Sequence, residues 1–183
     1  MSTGPSVFLF DRVSTPIGTL LLFVDPQGRL RALDWQEFEG RMHRSLRLHY
    51  ADDHVELVTG RAPTALRARL DAYFAGELHA LDAIQVATGG TPFQRDVWAA
   101  LRKIAPGRTQ SYGALAASIG RPTAVRAVGL ANAANPIGLV VPCHRVIGAD
   151  STLTGYGGGL ERKRWLLAHE GACFAEIPVR ASC

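Results

Sequence analysis

The sequence predicts an α+β fold: a small antiparallel sheet with a packing helix in the N-terminal half, and a mostly helical C-terminal half that contains a helix-turn-helix. Short apolar runs separated by Pro- and Gly-containing turns open the chain. Two short helix patterns flank Gly120. A glycine-containing stretch, residues 88–90, separates an acidic half from a basic one, so we expect domains of residues 1–90 and 91–183.

The composition is that of an ordinary globular protein, since 47% of its 183 residues are hydrophobic and 20% are charged. Three cysteines without paired spacing, Cys143, Cys173 and Cys183, exclude a disulfide framework and a CxxC zinc site. The start of the chain has no basic signal region, and its apolar runs are too short to cross a bilayer. We therefore expect a cytoplasmic protein with no membrane association.

The charges are distributed unevenly. Residues 1–90 carry a net charge of −2, whereas residues 91–183 carry +6. A basic excess confined to one half indicates that this half binds a polyanion, although a solvated basic face would give the same count.

In the N-terminal half, residues 7–10, 20–24 and 30–35 are predicted strands, with turns that each place Pro second and Gly fourth. Residues 38–58 carry no clear pattern, and we interpret His43 and His49 there as members of a solvated helix face rather than as metal ligands. Apolar residues at helical spacing predict a packing helix over residues 63–74 that Gly76 ends.

The C-terminal half begins with a capping box, Thr91-Pro92-Phe93-Gln94, so a helix should start there. An apolar stripe continues it until Pro106-Gly107. Ser111 then caps a short helix that Gly120 ends, and a second helix should begin near Pro122-Thr123 and run to about Ala133.

The second helix of this pair has mostly small side chains, with Arg126 as its long cationic residue. Base reading in the major groove normally uses long polar side chains. A helix about 10 Å wide enters a minor groove about 6 Å wide only if its side chains are small. The pattern fits minor-groove docking, but it also fits an Ala-rich core helix with one solvated Arg.

An apolar run, residues 137–141, predicts a buried, strand-like segment that Pro142 interrupts, which places Cys143 beside His144 at a break. Taken alone, such a pair is more often a buried structural Cys beside an incidental His, so its context has to decide. A glycine-rich loop, residues 154–159, leads to a helix over residues 160–169 with a basic turn. Glu170 follows, where a carboxylate opposes the helix dipole, so it either orients a histidine or is a surface Glu.

These residues resemble the O6-alkylguanine-DNA alkyltransferase family. The matching motifs are Pro142-Cys143-His144-Arg145-Val146, Asn135-Pro136, Thr91-Pro92-Phe93-Gln94, Ser111-Tyr112-Gly113, Arg126-Ala127-Val128-Gly129, Gly155-Tyr156-Gly157-Gly158-Gly159 and His169-Glu170-Gly171. Less specific matches in the N-terminal half include Ala72-Tyr73-Phe74-Ala75-Gly76 and resemble the stand-alone bacterial members.

The resemblance implies a role for each matching residue. Cys143 would accept the alkyl group, His144 would act as its base through a water, and Glu170 would orient that histidine. Tyr112 would donate a proton toward guanine N3, and Asn135 would tie the recognition helix to the Cys143 segment. The implied guanine pocket comprises the backbone near Val146 with Tyr156, Gly157 and Gly158, and the implied DNA-binding face comprises Arg126, Thr123, Ala127 and Ala131.

The resemblance also implies the partner. The protein would bind double-stranded DNA through the minor groove, flip the alkylated base out of the stack and let Arg126 fill the gap. It would act once per molecule on O6-alkylguanine, as a monomer and without a cofactor, with O4-alkylthymine and cooperative DNA binding left open. Some relatives hold zinc through N-terminal cysteines, which this chain lacks, so we expect no metal.

Two other functions compete with this one. A DNA-binding regulator would use Cys143 as a sensor, but it needs an effector domain that the small acidic half does not provide. A cysteine hydrolase could use the same Cys, His and Glu, yet it would not need a small-residue helix with one Arg. Alkyltransferase-like proteins, which bind lesions without repair, carry Trp where this chain has Cys143, so the cysteine favours the repair enzyme.

Overall fold

The computed structural model describes residues 6–50 and 55–175, and it confirms the α+β fold. The N-terminal elements are β1 (Ser6–Thr15), β2 (Gly18–Val24), β3 (Leu30–Trp35), α1 (Glu39–His49), β4 (Val55–Thr59) and α2 (Thr64–Phe74). The C-terminal elements are α3 (Pro92–Leu101), β5 (Gln110–Ser111), α4 (Tyr112–Ser118), α5 (Val125–Ala133), β6 (Val146–Ile147) and α6 (Leu160–His169).

The N-terminal sheet has the strand order β3-β2-β1-β4 and is mixed, which corrects the expected antiparallel sheet. The pairs β1/β2 and β2/β3 are antiparallel, as the two turns predict, but β4 runs parallel to β1. The reason is α1, since a helix between β3 and β4 carries the chain back across the sheet before it pairs again.

Helix α1 occupies the segment that the sequence left unassigned, and it places both of its histidines against other rings. His43 lies 5.5 Å from Phe23, and His49 lies 5.9 Å from Trp98, measured between ring centroids. Both side chains are half-buried, so the two histidines are only partly solvated.

The capping box at the start of α3 is confirmed. The Thr91 hydroxyl accepts from the Gln94 amide at 3.2 Å, and the Gln94 side chain accepts from the Thr91 amide at 2.9 Å. The helix buries Val97, Trp98 and Leu101, and it ends at Leu101 rather than at the proline and glycine beyond.

The helix-turn-helix is also present, with Ser111 capping α4 through the Ala114 amide. Helix α5 begins at Val125, later than the sequence predicts, because the Ala124 amide bonds to the carbonyl of Arg121 and closes a turn first. Thr123 therefore lies in the turn that precedes α5.

The apolar run at residues 137–141 is a turn and not a strand. Leu139 adopts a left-handed φ of 68°, and Ile137 makes a single bridge to Leu33. The Leu33 amide donates to the Pro136 carbonyl at 2.9 Å, and the Gly138 amide donates to the Leu33 carbonyl at 3.1 Å. The loop thus docks on the edge strand β3, and this contact joins the N-terminal sheet to the segment that carries Cys143.

The largest hydrophobic cluster of the described residues spans both halves of the chain, and two smaller clusters lie beside it. The largest cluster includes Leu22, Leu33 and Trp35 from the sheet and Trp98, Leu101 and Leu166 from the helices, all at most 2% exposed. Within residues 6–50 and 55–175, no helix is long and apolar enough to cross a membrane.

The capping box predicts a specific stability effect. Thr91→Ala removes the acceptor for the Gln94 amide, so the free energy of unfolding should fall by about 1 kcal/mol in denaturant titration. Thr91→Ser keeps the hydroxyl and should retain most of that stability. Equal losses in both variants would show that the hydroxyl contact contributes nothing.

Candidate active site

Cys143 lies at the start of a single 3-10 turn, Cys143–Arg145, that follows Pro142. In an extended strand, neighbouring side chains would point to opposite faces. The 3-10 turn instead lets the Cys143 thiol and the His144 imidazole serve one site. Cys143 is 7% exposed and lines a cavity of about 310 Å³. The other walls of this cavity include Trp35, Arg41, Leu48, Gln94, Ala134, Asn135, Tyr156, Gly157 and Gly158.

Asn135 fixes the loop that leads to Cys143. Its side-chain amide donates to the Val141 carbonyl at 2.8 Å, and its oxygen accepts from the Ile137 amide at 3.0 Å. These two bonds close the apolar run into a turn, which explains why it does not form a strand. Asn135 follows directly after α5, so it connects the end of that helix to the Cys143 segment.

Behind the cysteine, His144 and Glu170 form a fully buried contact. The Nε2 atom of His144 lies 3.0 Å from Oε1 of Glu170, and both side chains are 0% exposed. The Nδ1 atom of His144 is buried and has no hydrogen-bond partner within the described part of the chain. A carboxylate that accepts from Nε2–H fixes the tautomer in which Nδ1 carries the free lone pair.

Two further residues bind the same carboxylate. Arg145 donates from Nε to Oε2 at 2.9 Å and from a terminal nitrogen to Oε1 at 2.8 Å. Tyr73, on α2, donates its hydroxyl proton to Oε1 at 2.8 Å. Burial raises the pKa of Glu170, but the hydrogen bonds and charges of His144 and Arg145 outweigh it and hold the pKa well below its usual range, so Glu170 is an anion.

The cysteine and the histidine are both uncharged at neutral pH. Burial raises the pKa of the Cys143 thiol, against the opposing effects of the Asn135 side chain and the Lys163 charge. Burial also lowers the pKa of His144, against the attraction of Glu170. The site therefore holds a protonated thiol and a neutral imidazole able to accept a proton.

Lys163, in the basic turn of α6, is a further buried charge of the site, and its burial was not predicted from the sequence. It is 0% exposed and donates to the carbonyls of Val146 and Thr154, each at 2.6 Å. Burial lowers the pKa of Lys163 to about 8. Its bond to Val146 fixes the strand that follows the 3-10 turn, while its charge favours the Cys143 thiolate.

The pocket residues that the sequence indicated are only partly brought together. Tyr156, Gly157 and Gly158 line the cavity, and the Tyr156 ring lies 6.2 Å from the ring of His144. Val146 does not line it, because this residue is fully buried in the β5/β6 pair and its carbonyl accepts from Lys163.

The N-terminal half contributes walls that sequence reasoning missed. Arg41 lies on α1 and forms a bidentate ion pair with Asp34 at 2.7 and 2.9 Å. A Cβ at Gly157 would lie 3.2 Å from the Arg41 guanidinium, and one at Gly158 would clash with Trp35. Gly158 is thus required where the glycine-rich loop packs against the N-terminal half, whereas at Gly157 the flexible Arg41 side chain would have to shift slightly.

Helix α5 presents an exposed face beside the cavity. Arg126 and Ala127 are exposed on it, as is Thr123 in the preceding turn, and the face ends at Ala134 on the cavity wall. Ala131 departs from the expected set, since it is 3% exposed and its carbonyl accepts from the Trp98 indole at 2.8 Å, so its side chain faces the core.

Tyr112 begins α4, half-buried, and its ring lies against Gly129 of α5, where a Cβ would be 3.8 Å away. Among the described residues, no group of three or more His, Cys, Asp or Glu side chains could hold a metal ion. Cys173 is an exposed free thiol. Cys183 lies outside the described residues.

The buried Lys163 predicts a pH-dependent stability. Between about pH 8 and its unfolded pKa, the unfolded chain binds more protons at Lys163 than the folded one does, so stability should rise with pH. In a Cys143→Ala background, which removes the thiol titration, the free energy of unfolding should rise by about 1.5 kcal/mol from about pH 8 to about pH 9.5. Adding Lys163→Met should abolish the rise. A flat or falling profile in Cys143→Ala alone would contradict the lowered pKa.

Comparison with known families agrees with this geometry over most of the chain. The model of the 6-O-methylguanine DNA methyltransferase ribonuclease-like domain matches residues 10–88, and that of the DNA binding domain matches residues 92–172. A methylated-DNA–protein-cysteine methyltransferase from Salmonella typhimurium is 53% identical over 163 residues, which are 89% of this chain and 95% of that protein. One from Methanosarcina acetivorans is 45% identical over 159 residues, 87% of this chain and 96% of its own.

Solved structures show the same relationship. The crystal structure of Mycobacterium tuberculosis O6-methylguanine methyltransferase matches with a TM-score of 0.73 and 41% identity over 90% of this chain and 93% of that one. The structure of Mycobacterium tuberculosis OGT in complex with DNA matches with a TM-score of 0.72 and 40% identity over 88% and 92%. The fold, the site and these relatives show that the chain belongs to the 6-O-methylguanine DNA methyltransferase family.

Proposed function

We propose that the protein repairs DNA by transferring the alkyl group of O6-alkylguanine to the sulfur of its own Cys143, once per molecule. The observation that carries the proposal is the buried His144–Glu170 contact beside a cavity-lining thiol, which leaves Nδ1 of His144 as a free base. Its relatives carry the name methylated-DNA–protein-cysteine methyltransferase.

The reaction is an in-line displacement at the alkyl carbon. The Cys143 thiol gives its proton through a water to Nδ1 of His144, the S–C bond forms and the O6–C bond breaks. The imidazolium is stabilised by Glu170, which accepts from Nε2–H at 3.0 Å. Guanine leaves with the bond electrons and takes up one proton in return, so the products are a thioether and an unmodified base. The reverse reaction would have to expel the Cys143 thiolate from a neutral thioether, and a thiolate is a poor leaving group there, so the transfer is irreversible.

We propose that α5 docks in the minor groove of double-stranded DNA. Its exposed face has small side chains at Ala127, Ala133 and Ala134, which suit a groove about 6 Å wide, together with the exposed apolar side chain of Leu130. That face ends at the cavity that holds Cys143. The net charge of +6 on residues 91–183 supplies the attraction for the phosphates.

Access to O6 requires the alkylated nucleotide to leave the duplex, because the stack hides the carbon that Cys143 attacks. Arg126 is exposed on the first turn of α5 and would occupy the gap, which offsets part of an unstacking cost of a few kcal/mol. Tyr112 would donate toward guanine N3 as charge develops on the leaving base. Asn135 would transmit the position of α5 to Cys143 through its bonds to the loop.

The remaining assignments follow from the same arrangement. The flipped guanine would lie between Tyr156 and the backbone of Gly157 and Gly158, with the Gly157 amide as donor to O6. Two domains that meet near residues 88–90 are supported by the separate matches of the two family models to residues 10–88 and 92–172.

The transfer predicts a fixed stoichiometry. After incubation with excess methylated duplex, intact mass should rise by one methyl group per molecule, and peptide mapping should place it on Cys143. Cys143→Ala should lose transfer completely and keep its DNA affinity, because docking rests on α5. Cys173→Ala removes an exposed thiol and serves as the matched control with normal transfer. Several methyl groups per molecule, or a modified Cys173, would contradict the proposal.

Arg126 predicts a duplex-specific defect. Arg126→Ala should slow transfer from duplex DNA by at least about tenfold, because the unstacking cost is no longer offset. Transfer from a single strand carrying the same lesion should change little, since that base needs no flipping. Lys103→Ala removes an exposed cation away from α5 and should leave both rates unchanged. Equal slowing on the two substrates would assign Arg126 to phosphate binding alone.

A further inference from the structure

We propose that Tyr73 is a positioning residue for alkyl transfer: its phenol, supplied by the N-terminal half, shares the Glu170 carboxylate with His144 and so keeps the imidazole uncharged and ready to accept the Cys143 proton. The inference rests on the proposed function for the reaction, but the contact itself is independent of it. The buried hydroxyl of Tyr73 on α2 makes its hydrogen bond to Glu170.

The geometry places the Tyr73 hydroxyl as a buried hydrogen-bond donor to Glu170. Its side chain is 0% exposed, and its hydroxyl lies 2.8 Å from Oε1 of Glu170, the oxygen that His144 also contacts. A phenylalanine would fill the same volume, so packing alone does not require the hydroxyl. The ring is held from the other side by His169, whose Nε2 lies 2.8 Å from the Tyr73 carbonyl and whose ring centroid is 5.1 Å away.

The contact matters because it changes how strongly Glu170 attracts the proton on His144. Oε1 accepts from Tyr73, His144 and Arg145 at once, so each donor weakens the pull of the carboxylate on the others. A carboxylate bound by His144 alone would favour the imidazolium, which cannot accept another proton. Because the Glu170 charge is shared, His144 stays neutral at rest. Glu170 still stabilises the imidazolium once His144 takes up the proton of Cys143.

The charges of neighbouring titratable groups also act on His144 and Tyr73. Arg145 and Lys163 are cations that lower the pKa of His144 together with burial, whereas Glu170 raises it. Burial and the Glu170 charge raise the pKa of Tyr73 far above its usual value, so the phenol stays a donor. Tyr156 and Cys143 are uncharged near neutral pH, since burial raises the pKa of both.

The test is Tyr73→Phe, which removes the hydroxyl and leaves Glu170 held by Arg145. In the free protein, the Nε2 proton of His144 should move downfield in the NMR spectrum, because its bond to Oε1 strengthens. The single-turnover rate should fall at low pH as His144 becomes protonated, and in the variant this fall should begin at a higher pH. Loss of the hydroxyl should therefore slow the reaction more at low pH than at about pH 8. The ratio of the wild-type rate to the variant rate should be about fivefold larger at the lowest pH at which both proteins stay folded, a factor that corresponds to one neutral hydrogen bond.

Tyr50→Phe is the matched control, since it removes a hydroxyl of the N-terminal half that bonds to the Ala87 carbonyl and not to Glu170. It should leave both the NMR signal and the pH profile unchanged. An unmoved or upfield Nε2 proton in Tyr73→Phe would overturn the proposal, as would slowing by one factor at every pH. The NMR result is read without substrate, so it stands or fails separately from alkyl transfer.

Discussion

Burying the Glu170 carboxylate beneath the cleft requires partners for both of its oxygens, and these come from separate parts of the chain. Arg145 follows the cysteine in the 3-10 turn, His144 lies between them, and Tyr73 comes from α2. Removing a partner from a buried ion typically costs about 3–5 kcal/mol, because the remaining charge is left in a medium of low polarity. The carboxylate therefore specifies how α6, the 3-10 turn and α2 meet, and the position of Cys143 depends on all three.

The N-terminal sheet supports the same site from the opposite side. Its edge strand β3 pairs with the loop before Cys143 through Leu33, and the following residues Asp34 and Trp35 reach the cavity wall and the glycine-rich loop. Edge strands need their exposed backbone groups covered, and here the active-site loop supplies the cover. The N-terminal half is thus part of the site's architecture, although none of its residues carries the reacting atom.

The sequence predicted the C-terminal elements well because their signals are local. The capping box, the Gly120 turn and the Cys143–His144 pair each lie within a few residues, and Glu170 was singled out by its position after a helix. The turn at residues 137–141 was missed, because Asn135 closes it through side-chain bonds that override an apolar pattern. Tyr73, Arg41 and the burial of Lys163 were missed because they depend on contacts between distant residues, such as the 97 positions that separate Tyr73 from Glu170.

A protein that is used once must keep its nucleophile unreacted until the substrate arrives. The thiolate is the reactive form of cysteine, and burial of Cys143 favours the protonated thiol, as does the neutral state of His144. Lys163 and Asn135 instead lower the pKa of Cys143. They therefore limit the free-energy cost of forming the thiolate once a nucleobase fills the cavity and aligns the alkyl carbon. Reactivity then depends on the bound substrate and not on the resting ionisation of Cys143, which separates this thiol chemically from the exposed Cys173.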